Sequence, residues 1–287
     1  MKMFELQEEW KRGNIEKKTY WTLMREGYTH ILPEIQKVIG ISEDCESIVI
    51  SAEGCIFKRK NGLMLYFDFT QSICRAEINL IMGTDPEMEN IEFVNKFLMK
   101  GCKTVLDVGA NVGLFSLELY HDHENIIYHV FEPIPATFNK LNATAELNNV
   151  NRDNYITHNL GFSNEKGVLE FYYPAESEAA SLRPIDDDFY RKKSNDMGEY
   201  TGNFDMEKVL CRVDTIDHFI GEEGITNVDF IKIDVEGNEK AVLEGAYVTI
   251  KKERPLIYCE LLRKHAKRFG YHPNEVIEYM KNLGYRC

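Results

Sequence analysis

The sequence predicts an α/β protein in which a parallel β-sheet is covered by helices on both faces, with a small α+β region ahead of it. From residue 104 onward, short apolar runs typical of buried strands alternate with amphipathic segments typical of helices. A strand–turn–helix pattern opens this series, and a hairpin signal stands before it. The chain of 287 residues is long enough for one large domain with a smaller addition.

Composition and charge narrow the class of function. The chain carries 34 basic and 47 acidic residues, and its net charge of -13 would repel a nucleic-acid backbone. No run reaches the roughly 18 apolar residues needed to span a bilayer, and no secretory leader is evident. The seven cysteines are odd in number and lack a C-x-x-C pair, as is typical of reduced thiols. We therefore expect a cytoplasmic protein without nucleic-acid partner or membrane span.

Residues 1–84 are predicted to form the N-terminal region. The stretch "EWKRGNIEKKTYWTLMREGY" is plausible as helix, and Asn61-Gly62 lies between two β-rich runs. Asn-Gly between such runs is the strongest short hairpin signal, so two or three strands are expected here. No motif in this region indicates a chemistry.

Residues 85–287 are predicted to form the main domain. Its first helix is expected to have Asp85 as N-cap, Pro86 at the first helical position and Gly101 as stop signal. Five strands follow, namely "TVLDV", "IIYHVFE", "YITHNLG", "DFIKIDV" and "PLIYCEL". Helices are expected to begin near Gly113, Pro135, Asp214, Asn238 and Pro273. Ligands of such sheets bind beyond the carboxyl ends of the strands.

One segment interrupts the alternation. Residues 172–208 are polar and acidic and have little apolar periodicity. A loop of this length is typical of a lid, a binding loop or a disordered segment. Both a substrate-facing lid and simple disorder remain open. Ser181 and Arg183 within it are the expected acceptor contacts, together with His265.

The first strand ends in a turn, "LDVGANVG", that is typical of a nucleotide site. The dinucleotide fingerprint G-x-G-x-x-G uses three glycines so that backbone can approach a pyrophosphate. Here the spacing is Gly109-x-Asn111-x-Gly113, and Asp107 adds a carboxylate that would repel a pyrophosphate. A carboxylate there suits the α-amino group of a methionine tail. These departures favour S-adenosylmethionine over NAD.

The ends of the second and third strands supply further expected contacts. Glu132 is placed to accept hydrogen bonds from two ribose hydroxyls, as acids in NAD sites do. Asn159 could bond to the adenine edge, and Phe131, Ile134 and Leu160 could pack on the purine. Residues of these types are also common at strand ends as turn formers, so the prediction rests on their joint pattern. The expected cofactor contacts are Asp107, Gly109, Ala110, Asn111, Gly113, Phe131, Glu132, Pro133, Asn159, Leu160 and Asp234.

The fourth strand ends in a dense motif, "KIDVEGNE", with three carboxylates. The positive end of the following helix, which Asn238 can cap, accounts for Glu239. Asp234 and Glu236 instead lie beside the first turn, where a base could take the proton of an acceptor hydroxyl. We expect Asp234, Glu236 and Glu260 to be catalytic. Asp234, Glu260 and His265 could also ligate Mg²⁺ or Mn²⁺, but this set is loose, so no metal ligand is predicted and a divalent cation stays open.

With these motifs, the chain resembles the FkbM family of S-adenosylmethionine-dependent methyltransferases. The combination of D-x-G-A-N-x-G with K-I-D-V-E-G is typical of that family, whereas the first half alone occurs widely in class I methyltransferases. The other matching stretches are "VFEP", "AASL", "VDTID" and "RPLIYCEL", and the resemblance covers roughly residues 90–284.

The resemblance implies a class I methyltransferase (Rossmann-like) sheet and O-methylation of a hydroxyl, with S-adenosylhomocysteine as product. The acceptor in that family is often a sugar or a polyketide-type natural product. The resemblance also implies that Asp107, Gly109, Asn111 and Glu132 contact the cofactor. Class I folds usually continue into two further strands after "LGYRC", so the far edge of the sheet is expected to be reduced or completed differently.

Two other functions stay open at this point. An NAD-dependent oxidoreductase or epimerase would need the turn to hold a pyrophosphate. The missing middle glycine argues against this function. A non-catalytic cofactor-binding partner in a biosynthetic complex is the other. The amine-methylating tetrapeptide with two prolines and a Pro-Cys pair are both absent, which argues against nucleic acid. The expected acceptor is a small molecule or a saccharide, and a homodimer is compatible with the sequence.

Overall fold

The computed structural model of the chain describes residues 3–52, 54–67, 87–97, 99–174, 181–183 and 206–287. The predicted α/β architecture with an N-terminal α+β region is confirmed. In chain order the elements are α1 (Met3–Lys11), α2 (Lys17–Ile41), β1 (Cys45–Ile50), β2 (Cys55–Arg59), β3 (Met64–Phe67), α3 (Glu87–Phe97), β4 (Thr104–Val108), α4 (Leu114–Asp122), β5 (Ile127–Phe131), α5 (Pro135–Leu147), β6 (Tyr155–His158), β7 (Gly161–Phe162), β8 (Gly167–Pro174), β9 (Met206–Asp214), α6 (Ile216–Glu223), β10 (Val228–Ile233), α7 (Glu239–Glu244), α8 (Tyr247–Glu253), β11 (Leu256–Cys259), α9 (Arg263–Arg268) and α10 (Pro273–Asn282).

The central sheet has five parallel strands in the order β11-β10-β4-β5-β6. Their carboxyl ends are level, because Val108 pairs with both Ile233 and Phe131, and Phe131 pairs with His158. All five predicted strands are present. The third is shorter than predicted, because the chain leaves this sheet after His158 and Gly161 pairs with β9 instead. The residues that follow these strands therefore meet along one edge.

The core lies on both faces of the central sheet. Successive side chains of a strand point to opposite faces, and β4 is buried along its whole length. Val105 packs with the aromatic cluster under α4 and α5, whereas Leu106 and Val108 pack with the aliphatic cluster under α6, α7 and α10. A strand covered on both faces reads as a continuous apolar run, which is why β4 could be predicted.

The N-terminal strands form a separate antiparallel sheet, β1-β2-β3, and the hairpin predicted at Asn61-Gly62 joins β2 to β3. This sheet packs on α5, where the Tyr66 N–H donates to Thr144 Oγ1 at 3.1 Å. Its buried side chains join the aromatic cluster of the main domain. The predicted boundary between residues 84 and 85, like Asp85 and Pro86, lies outside the described residues and stays a prediction.

A buried ion pair ties the hairpin to α4. The Arg59 guanidinium contacts Glu118 and also donates to Asp44 Oδ1 at 2.9 Å, and its side chain is 4% exposed.

The predicted N-terminal helical stretch is two helices, broken at residues 12–16. Within the described part of the chain, neither these helices nor the later ones are long and apolar enough to cross a membrane.

A third sheet has the strand order β7-β9-β8, and its first strand follows β6 in the chain. Strands β8 and β9 pair antiparallel from Gly167 with Val213 to Pro174 with Met206. The prediction that residues 172–208 are irregular is therefore wrong at both ends of the segment, because residues 172–174 belong to β8 and residues 206–208 belong to β9. Cross-strand pairing, rather than sequence periodicity, decides this structure. Residues 175–180 and 184–205 of the predicted lid lie outside the described residues.

Two stacked histidines between β5 and β6 make the fold sensitive to acid. His129 Nδ1 lies 3.1 Å from His158 Nε2, and burial lowers the pKa of both imidazoles to about 4. In the unfolded chain both would bind protons below about pH 6.5. The folded state thus binds fewer protons, so stability is complete above pH 6.5 and is lost as the pH falls toward 4.

We expect the free energy of unfolding to fall by a few kcal/mol more between pH 7 and pH 4.5 in the wild type than in a His129→Gln/His158→Gln variant. Urea unfolding at the two pH values measures this difference. Equal losses in the two proteins would mean that carboxylates alone cause the acid sensitivity.

Candidate functional site

A cleft opens at the carboxyl edge of the central sheet, above β4, β5 and β10. We call it the first cleft. It has about 660 Å³ of empty space, part of it open to solvent. It is lined by Val108, Gly109, Asn111, Glu132, Pro133, Gly161, Phe162, Phe171, Leu182, Asp234, Val235, Glu236 and Asn238. Five of the predicted cofactor contacts are in this set: Gly109, Asn111, Glu132, Pro133 and Asp234.

Four N–H groups of the turn after β4 form hydrogen bonds within the protein itself. The N–H groups of Gly109 and Ala110 both donate to the Phe131 carbonyl, at 3.1 and 2.9 Å, and that of Gly113 donates to the Ala110 carbonyl at 2.9 Å. The Asn111 N–H donates to Glu132 Oε2 at 3.1 Å. A phosphate-binding loop needs such groups aimed at its anion. This turn is therefore not built as a pyrophosphate cradle.

Backbone conformation explains the residue types in this turn. Gly109, Asn111 and Gly113 have φ of 79°, 54° and 87°, in the left-handed region. Asparagine tolerates that region better than most residues with a side chain. Glycine is required at position 109, because an added Cβ would lie 1.9 Å from the Asp234 carbonyl oxygen. The turn after β4 and the end of β10 are thus packed backbone against backbone.

Glu132 is a buried carboxylate at the end of β5. Its Oε1 accepts the Ile134 N–H at 2.9 Å and its Oε2 accepts the Asn111 N–H, and the residue is only 6% exposed. These two bonds fix the position of the carboxylate. The carboxylate lines the cleft, as the ribose prediction requires.

Asp107 lies below the cleft rather than on its surface. It is fully buried, and its Oδ1 is 3.3 Å from the Lys232 ammonium. Lys232 also donates to the Gly109 carbonyl at 2.7 Å and lies 3.7 Å from Asp234 Oδ2. Asp107 thus contacts the Lys232 ammonium within the protein, and its contact with the α-amino group of a methionine tail, directly or through water, stays a prediction. Asp234 is the carboxylate of this cluster that reaches the cleft.

The apolar residues predicted to face a purine do not line the first cleft. Phe131 is fully buried and stacks on His158 with ring centroids 4.6 Å apart, and Leu160 belongs to the aliphatic cluster. Ile134 is buried in a third apolar cluster. Alternation along β5 turns the Phe131 side chain into the core. Pro133 from the predicted set does line the cleft.

Three more predicted residues shape the cleft from outside it. Asn159 donates from Nδ2 to the carbonyls of Glu132 and Pro133, both at 2.9 Å, and so holds the end of β5. Ala110 is buried within the turn, and Gly113 faces Leu141 and Tyr155. Their contribution is to the shape of the backbone, and a direct contact with a ligand stays a prediction.

Glu236 brings together several residues that the sequence singled out. Its φ of 55° is unusual for a residue with a side chain, and such strain concentrates at functional sites. His265 Nδ1 lies 2.8 Å from its carboxylate. Its carbonyl accepts hydrogen bonds from Ser181 Oγ and from the Arg268 guanidinium, each at 3.2 Å. Ser181 and His265 thus hold Glu236, whereas Arg183 lies over the Phe269 ring at 6.0 Å.

The next residues serve the turn into α7. Asn238 is the N-cap by position but does not cap α7 with its side chain, contrary to the prediction; its Nδ2 donates to the Phe162 carbonyl at 3.2 Å. Glu239 accepts the Gly237 N–H and the Tyr271 hydroxyl, both at 2.8 Å. Burial raises the pKa of Glu239, and these hydrogen bonds oppose that rise. Both residues therefore anchor the turn after β10.

A second cleft lies on the other side of Asp234. It has about 370 Å³ of empty space and is lined by Asn90, Ile91, Phe115, Lys232, Asp234, Tyr258 and Glu260. Glu260 is therefore near Asp234, while His265 is bound to Glu236 at the first cleft. Among the described residues, no group of three or more His, Cys, Asp or Glu side chains is arranged to hold a metal ion.

Several residues of the first cleft were missed by the sequence analysis. Phe162, Phe171 and Leu182 supply its apolar wall. They come from β7, β8 and the short stretch bridged to β8 by Tyr172 and Ser181. Only the sheet formed by distant strands brings them to the edge. The glycine at position 161 could have indicated a close approach of two segments, because a Cβ there would lie 3.2 Å from Pro133.

Comparisons with known proteins find methyltransferases among the relatives of this chain. Methyltransferase 1 of Beauveria bassiana (strain ARSEF 2860) is 29% identical over 144 residues, which cover 49% of this chain and 57% of that protein. The 31-O-demethyl-FK506 methyltransferase FkbM of Streptomyces tacrolimicus is 30% identical over 154 residues, covering 49% and 58%. The chain thus spans less than two thirds of the length of these relatives.

A solved structure and a family profile complete the comparison. The crystal structure of methyltransferase FkbM from Methylobacillus flagellatus KT matches with a TM-score of 0.41 and 17% identity, covering 72% of this chain and 45% of that one. The profile of the methyltransferase FkbM domain matches residues 107–287, from the aspartate of the first motif onward. Because this match spans more than half of the sequence, the chain belongs to the methyltransferase FkbM domain family.

Proposed function

We propose that the protein is an S-adenosylmethionine-dependent O-methyltransferase that acts on a hydroxyl of a saccharide or small-molecule natural product. The observation that carries the proposal is the first cleft: a turn in which four N–H groups, those of Gly109, Ala110, Asn111 and Gly113, donate within the protein, beside a fixed carboxylate, Glu132, and a second carboxylate, Asp234. Two carboxylates suit hydroxyl and ammonium donors and would repel a pyrophosphate.

The residues of the first cleft fit this cofactor. Glu132 would accept from the ribose hydroxyls, and Asp234 would face the amino-acid end. The apolar wall of Pro133, Phe162 and Leu182 would pack on the adenine ring. When bound, S-adenosylmethionine supplies a methyl group on a sulfonium centre.

The chain's own contribution to the reaction is positioning and proton transfer. Asp234 lines both clefts, and its side chain is 25% exposed, so an acceptor hydroxyl can reach it. Its carboxylate would take the hydroxyl proton as general base. Glu236, held by His265 and Ser181, would fix the loop between β10 and α7.

The acceptor class rests on a relative. The Streptomyces protein is named for the methylation of 31-O-demethyl-FK506, and a hydroxyl acceptor on this chain is in line with that name. S-adenosylmethionine as donor and the acceptor class are both part of the proposal.

We expect S-adenosylhomocysteine to raise the melting temperature of the protein and NAD to leave it unchanged. At 100 times its Kd a ligand stabilises by about 2.7 kcal/mol, which corresponds to at least several degrees for a domain of this size. A Glu132→Gln variant should bind S-adenosylhomocysteine roughly tenfold more weakly or worse, since hydrogen bonds to a charged group contribute about 1.5–3 kcal/mol. Glu146→Gln, at an exposed position of α5, is the matched control. Stabilisation by NAD alone would contradict the proposal.

A further inference from the structure

Asp234, which lines both clefts, is the one expected cofactor contact among the described residues that line the second cleft. We propose that the second cleft is the acceptor subsite and that it takes a neutral polyhydroxylated ring, such as a saccharide without phosphate or carboxylate. This inference rests on the proposed function, because it supposes that the first cleft holds the methyl donor.

Its position follows from the register of the sheet. Ile233 pairs with Cys259, and the Glu260 N–H donates to the Ile233 carbonyl at 3.0 Å. Asp234 and Glu260 therefore leave neighbouring strands at the same level. A hydroxyl placed between these two carboxylates would be next to the first cleft. No other carboxylate of the described residues lines both clefts.

The walls of the second cleft suit a ring with hydroxyl edges. Phe115 and Tyr258 lie parallel, with centroids 5.8 Å apart and planes 10° apart. Tyr258 is partly exposed and gives an apolar surface for the C–H face of a sugar ring, and Phe115 and Ile91, which are 5% and 2% exposed, lie behind it. Asp234 and Glu260 accept hydrogen bonds from hydroxyls, and Asn90 can both donate and accept. An apolar wall with a few convergent polar groups is the usual composition of a small-molecule site.

The charges of the second cleft select against anionic acceptors. Asp234 and Glu260 line it, and Asp107 lies just below, whereas Lys232 is the basic residue of its lining. The Lys232 ammonium is directed to the Gly109 carbonyl and to Asp107. Among the described residues of this cleft the carboxylates thus exceed the basic side chains, so we expect a phosphate or carboxylate on the acceptor to be repelled.

The test uses the full chain with saturating S-adenosylhomocysteine and a panel of ring probes. The neutral probes are methyl glycosides of glucose, mannose and rhamnose; the anionic counterparts are glucose 6-phosphate and glucuronic acid. Saturation-transfer NMR measures their binding in this complex, and turnover is measured separately as transfer of a radiolabelled methyl group from S-adenosylmethionine, without added S-adenosylhomocysteine. The variants are Glu260→Gln and Tyr258→Leu, with Glu222→Gln at an exposed position of α6 as control.

We expect at least one neutral ring to bind the wild type and its anionic counterpart to bind at least tenfold more weakly. Glu260→Gln and Tyr258→Leu should each raise the Kd of that ring at least tenfold, while the Kd of S-adenosylhomocysteine changes less than twofold. The control variant should behave as the wild type does.

Three results would overturn the inference while leaving the proposed function standing. In each of them S-adenosylhomocysteine binds normally. The first result is that no neutral ring binds, and the second is that anionic rings bind more tightly than neutral ones. The third is that neither variant weakens the binding of a neutral ring. Failure of the wild type to bind S-adenosylhomocysteine is a different result. It would contradict the proposed function and remove this acceptor subsite with it.

Discussion

Asp234→Asn is expected to lower kcat by about 10²- to 10⁴-fold, the usual contribution of a general base. The substitution keeps the size of the side chain but removes the charge and the ability to take a proton. Asp234 is the carboxylate that lines both clefts, so its loss acts where donor and acceptor would meet. Its contact with Lys232 is 3.7 Å, and the direct bond of Lys232 to Gly109 should keep the local fold.

The split between binding and turnover decides the role of Asp234. With the acceptor that the ring panel identifies, we expect kcat to fall much more than the affinity for S-adenosylhomocysteine. An equal fall in both would assign Asp234 to cofactor binding. Asp229→Asn is the matched control, because Asp229 lies at the opposite end of β10 and accepts the Lys103 N–H at 2.7 Å. That variant should change stability slightly and leave kcat unchanged.

Glu236→Gln tests the second predicted catalytic carboxylate. Its pairing with His265 at 2.8 Å indicates a positioning role, so we expect a smaller fall in kcat than for Asp234→Asn. Wild-type turnover in both variants would mean that neither residue is catalytic. In that case Glu260 would be the remaining candidate base at this edge.

Strand ends could be predicted from the sequence because a parallel sheet places them together. Buried strands read as apolar runs, and the residue after each run is polar when it faces the edge. This logic placed Glu132, Asp234 and Glu260 correctly along the cleft-bearing edge. The two glycines also indicated the turn after β4, and in the structure Gly109 and Gly113 both have positive φ.

Side-chain direction and distant contacts could not be predicted in the same way. Phe131 is next to Glu132, yet strand alternation buries one in the core and leaves the other at the cleft. Asp107 is paired with Lys232 because β4 and β10 are adjacent and these residues are in register. The wall contributed by Phe171 depends on the β8–β9 pairing. These features follow from contacts between segments far apart in the chain.

Gly109→Ala is expected to destabilise the protein by at least about 3 kcal/mol, a large part of the roughly 5–15 kcal/mol that stabilises a typical domain. Gly109 has φ of 79°, which is unfavourable for alanine, and the new Cβ would lie 1.9 Å from the Asp234 carbonyl oxygen. Because both sides of this contact are backbone, no side chain can move to relieve it. The turn after β4 or the end of β10 would have to shift.

The same shift should impair the site before the fold is lost. Asn111 in the turn donates to Glu132, and Asp234 follows directly after β10, so displacement of either segment would misplace carboxylates that line the first cleft. We expect a melting temperature lower by several degrees and no stabilisation by S-adenosylhomocysteine. Gly221→Ala in α6 is the control, since no heavy atom lies within 4 Å of its added Cβ and alanine in a helix is more stable by about 0.5–1 kcal/mol. A Gly109→Ala protein that melts and binds as the wild type does would mean that the two strand ends are not locked together, and the close backbone packing would then have no part in forming the cleft.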